Sequence, residues 1–213
     1  MIHLVTSFYL IENPNEVQEL RNNELIESLI KNIESPIIKE IHLFVDNIHA
    51  FNKINEINSE KIVIIRIGKQ PFYSELFDYA ITNLENKICM ISNSDIYIHE
   101  YDINILNKLE NNIFTLTRYE HDMSCHLIDK YVGSHDVFIF KSPLNKTILQ
   151  YMNHHQNVWG SECLIIDILV DHGYKLYNPC YQIKICHLHK SDFRNEDRIR
   201  IHNGIHNAPP CYL

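Results

Sequence analysis

The triplet Asn93-Ser94-Asp95 closes an apolar run, Ile88-Cys89-Met90-Ile91, and precedes Tyr97, His99, Glu100 and Asp102. Asn, Ser and Asp are the residues that turns prefer, so a turn alone accounts for it. A carboxylate at the end of a strand is also a hard oxygen ligand, and Asp95 would suit Mg2+ or Mn2+. An ion there could hold a diphosphate and offset charge on a leaving group. Further on, Cys186-His187-Leu188-His189-Lys190-Ser191 sets two histidines two residues apart, on one face if the segment is a strand. They read as edge histidines or as part of a metal shell, with Lys190 or Arg194 available for phosphate. The spacing is not that of a structural zinc motif.

Two more carboxylates sit at element boundaries. Asp136 directly precedes the apolar run 137–140, and Glu162 falls in the first turn of an expected helix, after Trp159-Gly160. Capping and the helix dipole explain such positions. A sugar site also needs an aromatic platform, which Trp159 offers, and a carboxylate as base or hydroxyl acceptor. Basic residues are scarce. Arg66 ends an expected strand, and Arg21 begins the first expected helix, where a cation opposes the dipole and a phosphate or base contact is favoured.

The elements that must position these residues follow from periodicity. Strands are expected over 2–10, 37–45, 61–67 and 87–98, and helices over 19–32 and 72–83. Leu20, Leu25, Ile26, Leu29 and Ile30 form the apolar face of the first helix, and Pro71 is its counterpart's first residue in the second. The order strand–helix–strand–strand–helix–strand predicts an α/β fold with a largely parallel sheet, in which ligands sit beyond the carboxyl ends of the strands. Segment 104–110 reads as helical, 113–117 and 137–140 as strands, 162–173 as a helix capped by Gly173, and 182–188 as a last strand. No repeat or Gly/Ser linker divides the chain. One domain over 1–213 is expected, with a nucleotide-binding half at about 1–100, an acceptor half at about 101–194 and a tail at 195–213.

Bulk composition narrows the classes. With 213 residues, 45% hydrophobic and 22% charged, the chain is globular. A net charge of −8 argues against a nucleic-acid partner. No run reaches the ~20 apolar residues of a membrane span, and no signal peptide is evident. The six cysteines form no C-x-x-C pair and read as reduced, buried thiols. A soluble, cytoplasmic protein is expected, in the host cytoplasm if the chain is viral. Five glycines and no G-x-x-x-x-G-K-[ST] exclude a P-loop, so a diphosphate would need a metal and side chains. No G-x-S-x-G supports a nucleophile-elbow hydrolase.

Taken in order, SNSDIYI, FTLTRYE, GSHDVFIF, WGSECLI and GYKLYNPCYQIKICHLHKS resemble nucleotide-sugar-dependent glycosyltransferases of the GT-A fold. The likeness is nearest to small bacterial and large-virus domains that carry an Asn-Ser-Asp version of the Asp-any-Asp metal signature. It runs from Thr6 to Arg194. The resemblance implies a single Rossmann-like domain whose mostly parallel mixed sheet is flanked by helices. It implies that Asp95 binds Mn2+ or Mg2+ on the donor diphosphate, and that Asn93, where many relatives carry the first Asp, faces ribose or the outer metal shell beside Ser94. Thr6, Ser7, Phe8 and Tyr9 would cradle the nucleotide, with Arg21, Arg66 and Tyr73 at the same end. His187 or His189, the latter preferred, would be the late metal or phosphate contact. Asp136 and Glu162 would flank donor sugar and acceptor. The implied activity is transfer of a hexosyl or deoxyhexosyl group from a UDP-sugar to a hydroxyl of a glycan or glycoprotein, with Glu162 as first candidate base and Asp136 as second. The alternatives are a nucleotidyltransferase of similar sheet architecture and a non-catalytic nucleotide- or sugar-binding module.

Overall fold

The computed structural model describes residues 1–122, 126–127, 134–156, 158–193 and 200–213. Arg194 lies outside them. In chain order the elements are β1 (Ile2–Phe8), α1 (Glu16–Glu34), β2 (Ile38–Val45), α2 (Ile48–Ile57), β3 (Ile62–Arg66), α3 (Tyr73–Asn83), β4 (Ile88–Ser92) and β5 (Ile96–Tyr101). Then come β6 (Asn112–Leu116), β7 (Tyr119–Glu120), β8 (His126–Leu127), β9 (Val137–Lys141), α4 (Ser161–Asp171), β10 (Lys175–Tyr177) and β11 (Ile183–His187). Short 3-10 turns at Ile103–Lys108 and Lys146–Tyr151 complete them.

The main sheet has seven strands in the order β10-β6-β9-β4-β1-β2-β3, and all pairings are parallel except the two made by β9. The expected α/β class with a mostly parallel mixed sheet is therefore observed. Period-two alternation drives its two-sided burial. Ile2, Leu4 and Phe8 of β1 join Leu25 and Leu29 of α1 in one core, while Val5 joins Tyr73, Leu76, Phe77 and Ala80 of α3 in the other. The order reverses between β1 and β4, which opens a crevice at their carboxyl ends. A second sheet of four short strands, β5-β11-β7-β8, lies beyond that edge.

Several expectations are corrected. The strand expected over 87–98 is two strands in two different sheets, broken at Asn93–Asp95, where the Ile96 N–H donates to the Asn93 carbonyl at 3.3 Å. The triplet is a turn, and it carries the chain from one sheet to the other. Helix α2 was not expected; Asn47 caps its start and left-handed Asn58 ends it, in a segment whose many asparagines mask the periodicity. Pro71 precedes α3 rather than opening it, and Phe72 is the cap residue.

Helix α1 starts at Glu16 behind a capping box of Asn15 and Gln18, so Arg21 lies in its second turn and not at its dipole end. Its expected apolar face is only half right, because Leu20 and Ile30 are 56% and 39% exposed, whereas Arg21, Asn22, Glu24, Ser28 and Asn32 are buried. Cys186 is disulfide-bonded, so the expectation of six reduced thiols fails there. Among the described residues no helix is long and apolar enough to cross a membrane.

Candidate functional site

The sheet brings the chemistry-bearing residues to one rim. Strand β9 runs antiparallel to β4 and β6, with Val137 opposite Ser92 and Leu116, so Asp136 arrives beside Asn93 and beside the chain leaving β6. The Asn93 side-chain amide donates to Asp136 at 3.3 Å and to Glu162 at 3.4 Å, and the Tyr73 hydroxyl reaches Glu162 at 3.4 Å. Glu162 is placed there by the start of α4. Gly160 caps that helix at φ +85, and a Cβ on it would meet the His202 carbonyl oxygen at 2.1 Å. Only glycine supports both the backbone conformation and the close approach of the later chain.

Two carboxylates thus face one amide. Burial first, and the Asp136 carboxylate second, push the Glu162 carboxyl up to about 7. A carboxyl poised near neutrality, and partly open to solvent, has the property a general base requires. Asp136 is held by Arg118 at 3.2 Å and by the Ser134 hydroxyl at 2.5 Å. Arg118 and Ser134 were missed in the sequence.

From Asp136 an alternating chain of charges crosses to the second sheet. Arg118 donates to Glu120 at 2.7 Å, Glu120 pairs with His187 Nδ1 at 2.9 Å, and His187 Nε2 lies 3.2 Å from Asp95. Arg21 donates to the same Asp95 oxygen at 2.5 Å, to Glu24 at 3.2 Å and to the Leu188 carbonyl at 3.0 Å. Glu24 accepts in turn from the Ser191 N–H and hydroxyl. Burial alone would raise the Asp95 carboxyl, yet His187 and Arg21 outweigh it and hold it far below the carboxylate range. Burial would likewise depress His187, but Asp95 and Glu120 push it up to about 9. Buried ions tolerate this environment because every one has a counter-charge.

The remaining expected residues fall into three groups. Thr6 and Ser7 are buried at the β1 end, where Thr6 donates to the Ser92 carbonyl at 2.8 Å and Ser7 to Gln156 at 2.9 Å; Gln156 also donates to the Ser92 carbonyl, bridging β1 and β4. Phe8 and Tyr73 are fully buried in the two cores, and Tyr9 packs against the first. Arg66 lies over the Phe51 ring at 3.9 Å, Lys190 is exposed, and Trp159 is half exposed with its carbonyl accepting from the Ile201 N–H. The hydroxyl of Ser94 and the amide oxygen of Asn93 are buried without a hydrogen-bond partner among the described residues, so polar capacity remains at the turn.

Asp95, His187 and His189 offer donor atoms within 4.8 Å of one another. A carboxylate and two imidazoles suit a first-row divalent ion. Such an ion would share Asp95 with Arg21 and take His187 from its pairing with Glu120. His189 already bonds the Phe193 carbonyl at 2.9 Å and meets the His187 ring edge-on. The donor types fit an ion, and the existing charge balance opposes its entry.

The α/β fold, with its seven-stranded mostly parallel sheet, is similar to that of two solved structures of nucleotide-sugar-handling proteins. A protein from Bacillus anthracis described as a glucose-1-phosphate thymidylyltransferase, in complex with sucrose, matches 84% of this chain and 86% of its own at TM-score 0.52 and 10% identity. A mannosyltransferase from Pyrobaculum calidifontis, in complex with GDP-Man and Mn2+, matches 88% of this chain at TM-score 0.51 and 10% identity; the chain spans 56% of that protein. At such identity the likeness shows the fold. No protein-family model and no curated sequence matches the chain.

Proposed function

We propose that this protein is a glycosyltransferase that moves a sugar from a nucleotide-diphosphate donor, most simply a UDP-sugar, to a hydroxyl of a glycan or glycoprotein. The observation that carries the reading is the Glu162 carboxyl, raised toward neutrality beside Asp136 at the carboxyl end of the sheet. Glu162 accepts the proton of the acceptor hydroxyl as its oxygen attacks the anomeric carbon. The bond from that carbon to the diphosphate breaks, the diphosphate leaves with the electron pair, and the anomeric centre inverts. Asn93 fixes both carboxylates through one amide, and Arg118 holds Asp136 in place. Asp95, His187 and His189 would hold a Mn2+ or Mg2+ ion, which when bound offsets charge on the departing diphosphate.

One observation favours a metal-independent variant of the same reaction. Asp95 is already paired with Arg21 and His187, so the carboxylate that would hold an ion is engaged by cationic side chains without one. The nucleotidyltransferase alternative is not favoured, because Ser7-Phe8-Tyr9-Leu10, at the end of β1 and just past it, is bulky where such enzymes usually carry a Gly-rich loop.

The test is donor turnover. Protein stripped with EDTA is incubated with UDP-sugars, with and without Mn2+ and with and without added pyrophosphate, and free sugar, UDP and UTP are measured. Sugar and UDP release that needs Mn2+ supports the metal-dependent reading, and Asp95→Asn should then abolish the Mn2+ response. Equal release in EDTA supports the metal-independent variant. UTP formed only when pyrophosphate is added, or no turnover of any donor, overturns the proposal.

A further inference from the structure

A second group of donor atoms lies at the opposite end of the sheet from the rim. His3 is the second residue of β1 and pairs in register with Glu40 of β2, with His42 two residues further along on the same face. Nδ1 of His3 is 3.2 Å from Nε2 of His42 and 3.2 Å from the Glu40 carboxylate, and His42 Nε2 is 3.5 Å from the same carboxylate oxygen. Three lone-pair atoms therefore form a nearly equilateral triangle. A tetrahedral zinc shell, with ligands at about 2.0–2.1 Å, sets its donor atoms roughly 3.3 Å apart.

We propose that His3, Glu40 and His42 form a binding site for a zinc-type divalent transition ion, separate from the candidate active site. Both imidazoles are almost wholly buried, whereas the Glu40 side chain is 37% exposed, so an ion enters from the Glu40 side and a solvent molecule takes the fourth position. The Tyr79 hydroxyl of α3 lies 3.0 Å from His42 Nδ1 and can accept its proton, the tautomer that leaves the Nε2 lone pair for the triangle. Without an ion, one proton on His3 Nδ1 has to serve both Glu40 and His42. With an ion, all three atoms are satisfied at once. Burial lowers the pKa of both imidazoles, so both are neutral donors at neutral pH. Two nitrogens in three ligands select against Mg2+ and Ca2+. The ion would tie β1 to β2 beneath α3, a stabilising role that is independent of turnover.

The test uses the metal-free 213-residue chain titrated with Zn2+ against a chromophoric chelator, with thermal melting in parallel. Wild type and His189→Ala are both expected to take up Zn2+ at this site and to melt several degrees higher with it. Glu40→Gln and His3→Gln should each weaken that uptake at least about tenfold. Should His3→Gln not fold, Glu40→Gln decides, since its side chain is the exposed member. Unchanged Zn2+ affinity in Glu40→Gln, loss of all uptake in His189→Ala, or no uptake by the wild type would each overturn the assignment.

Discussion

At the scale of single residues, the pairing of Glu162 with Asp136 fixes a pH dependence. If Glu162 is the base, turnover should rise with pH through about 7 and then level off. Glu162→Gln should abolish the rise and lower kcat by about 10²-fold or more, with donor affinity kept. Asp136→Asn removes one of the two causes that raise the Glu162 carboxyl, so in that variant the inflection should move to lower pH. Burial, the larger cause, remains and limits the move. A pH–rate series on both variants checks this, and an inflection unmoved in Asp136→Asn would separate the two carboxylates. Both acids were legible in the sequence from their positions at element starts. Arg118 and Glu120 were not, although their i, i+2 spacing after an apolar run was a usable signal. Gln156 gave none, because its partners are backbone and side-chain atoms far away in the sequence.

At the scale of elements, α1 shows why periodicity misled. Its inner face carries Arg21, Glu24 and Asn32 because it packs against the turn at Asn93–Asp95 and the ends of β5 and β11, where polar partners wait. Hydrophobic spacing finds a face that meets a core and misses a face that meets a charge network. The strands read well, since burial on both faces leaves near-continuous apolar runs, but a run says nothing about a change of sheet within it. Helix α4 depends on Gly160. Gly160→Ala should cost about 1–2 kcal/mol from the left-handed backbone alone, with more from the clash with His202. Its start carries Glu162, so turnover should fall with stability. Thermal melting and turnover measured together test this, and a variant that melts normally would deny the contact.

At the scale of the whole molecule, the alternating charges set a pH window. His187, raised from 6.5 to about 9, contributes stability that is complete below 6.5 and lost as pH rises through 9. Glu120, lowered from 4.5 to about 2, contributes stability present above 4.5 and lost as pH falls through 2. Glu162 acts in the same direction as His187, because its raised carboxyl costs stability as it ionises between 4.5 and 7. These three contributions together are therefore greatest near pH 4.5 and fall on both sides, through Glu120 below it and through Glu162 and then His187 above it. Glu162→Gln should flatten the first part of the alkaline decline in melting temperature, and a profile still rising at pH 8 would contradict these assignments.

The bond from Arg21 to the Leu188 carbonyl joins residues 167 positions apart. During synthesis the first helix leaves the ribosome long before the segment that completes its set of acceptors. Until that segment is made, a guanidinium shaped for the interior has only part of its partners, and α1 is held mainly by Leu25 and Leu29 against β1. The amino-terminal half taken alone would leave Arg21 without this late acceptor. Its first helix is fastened by a carbonyl that follows β11.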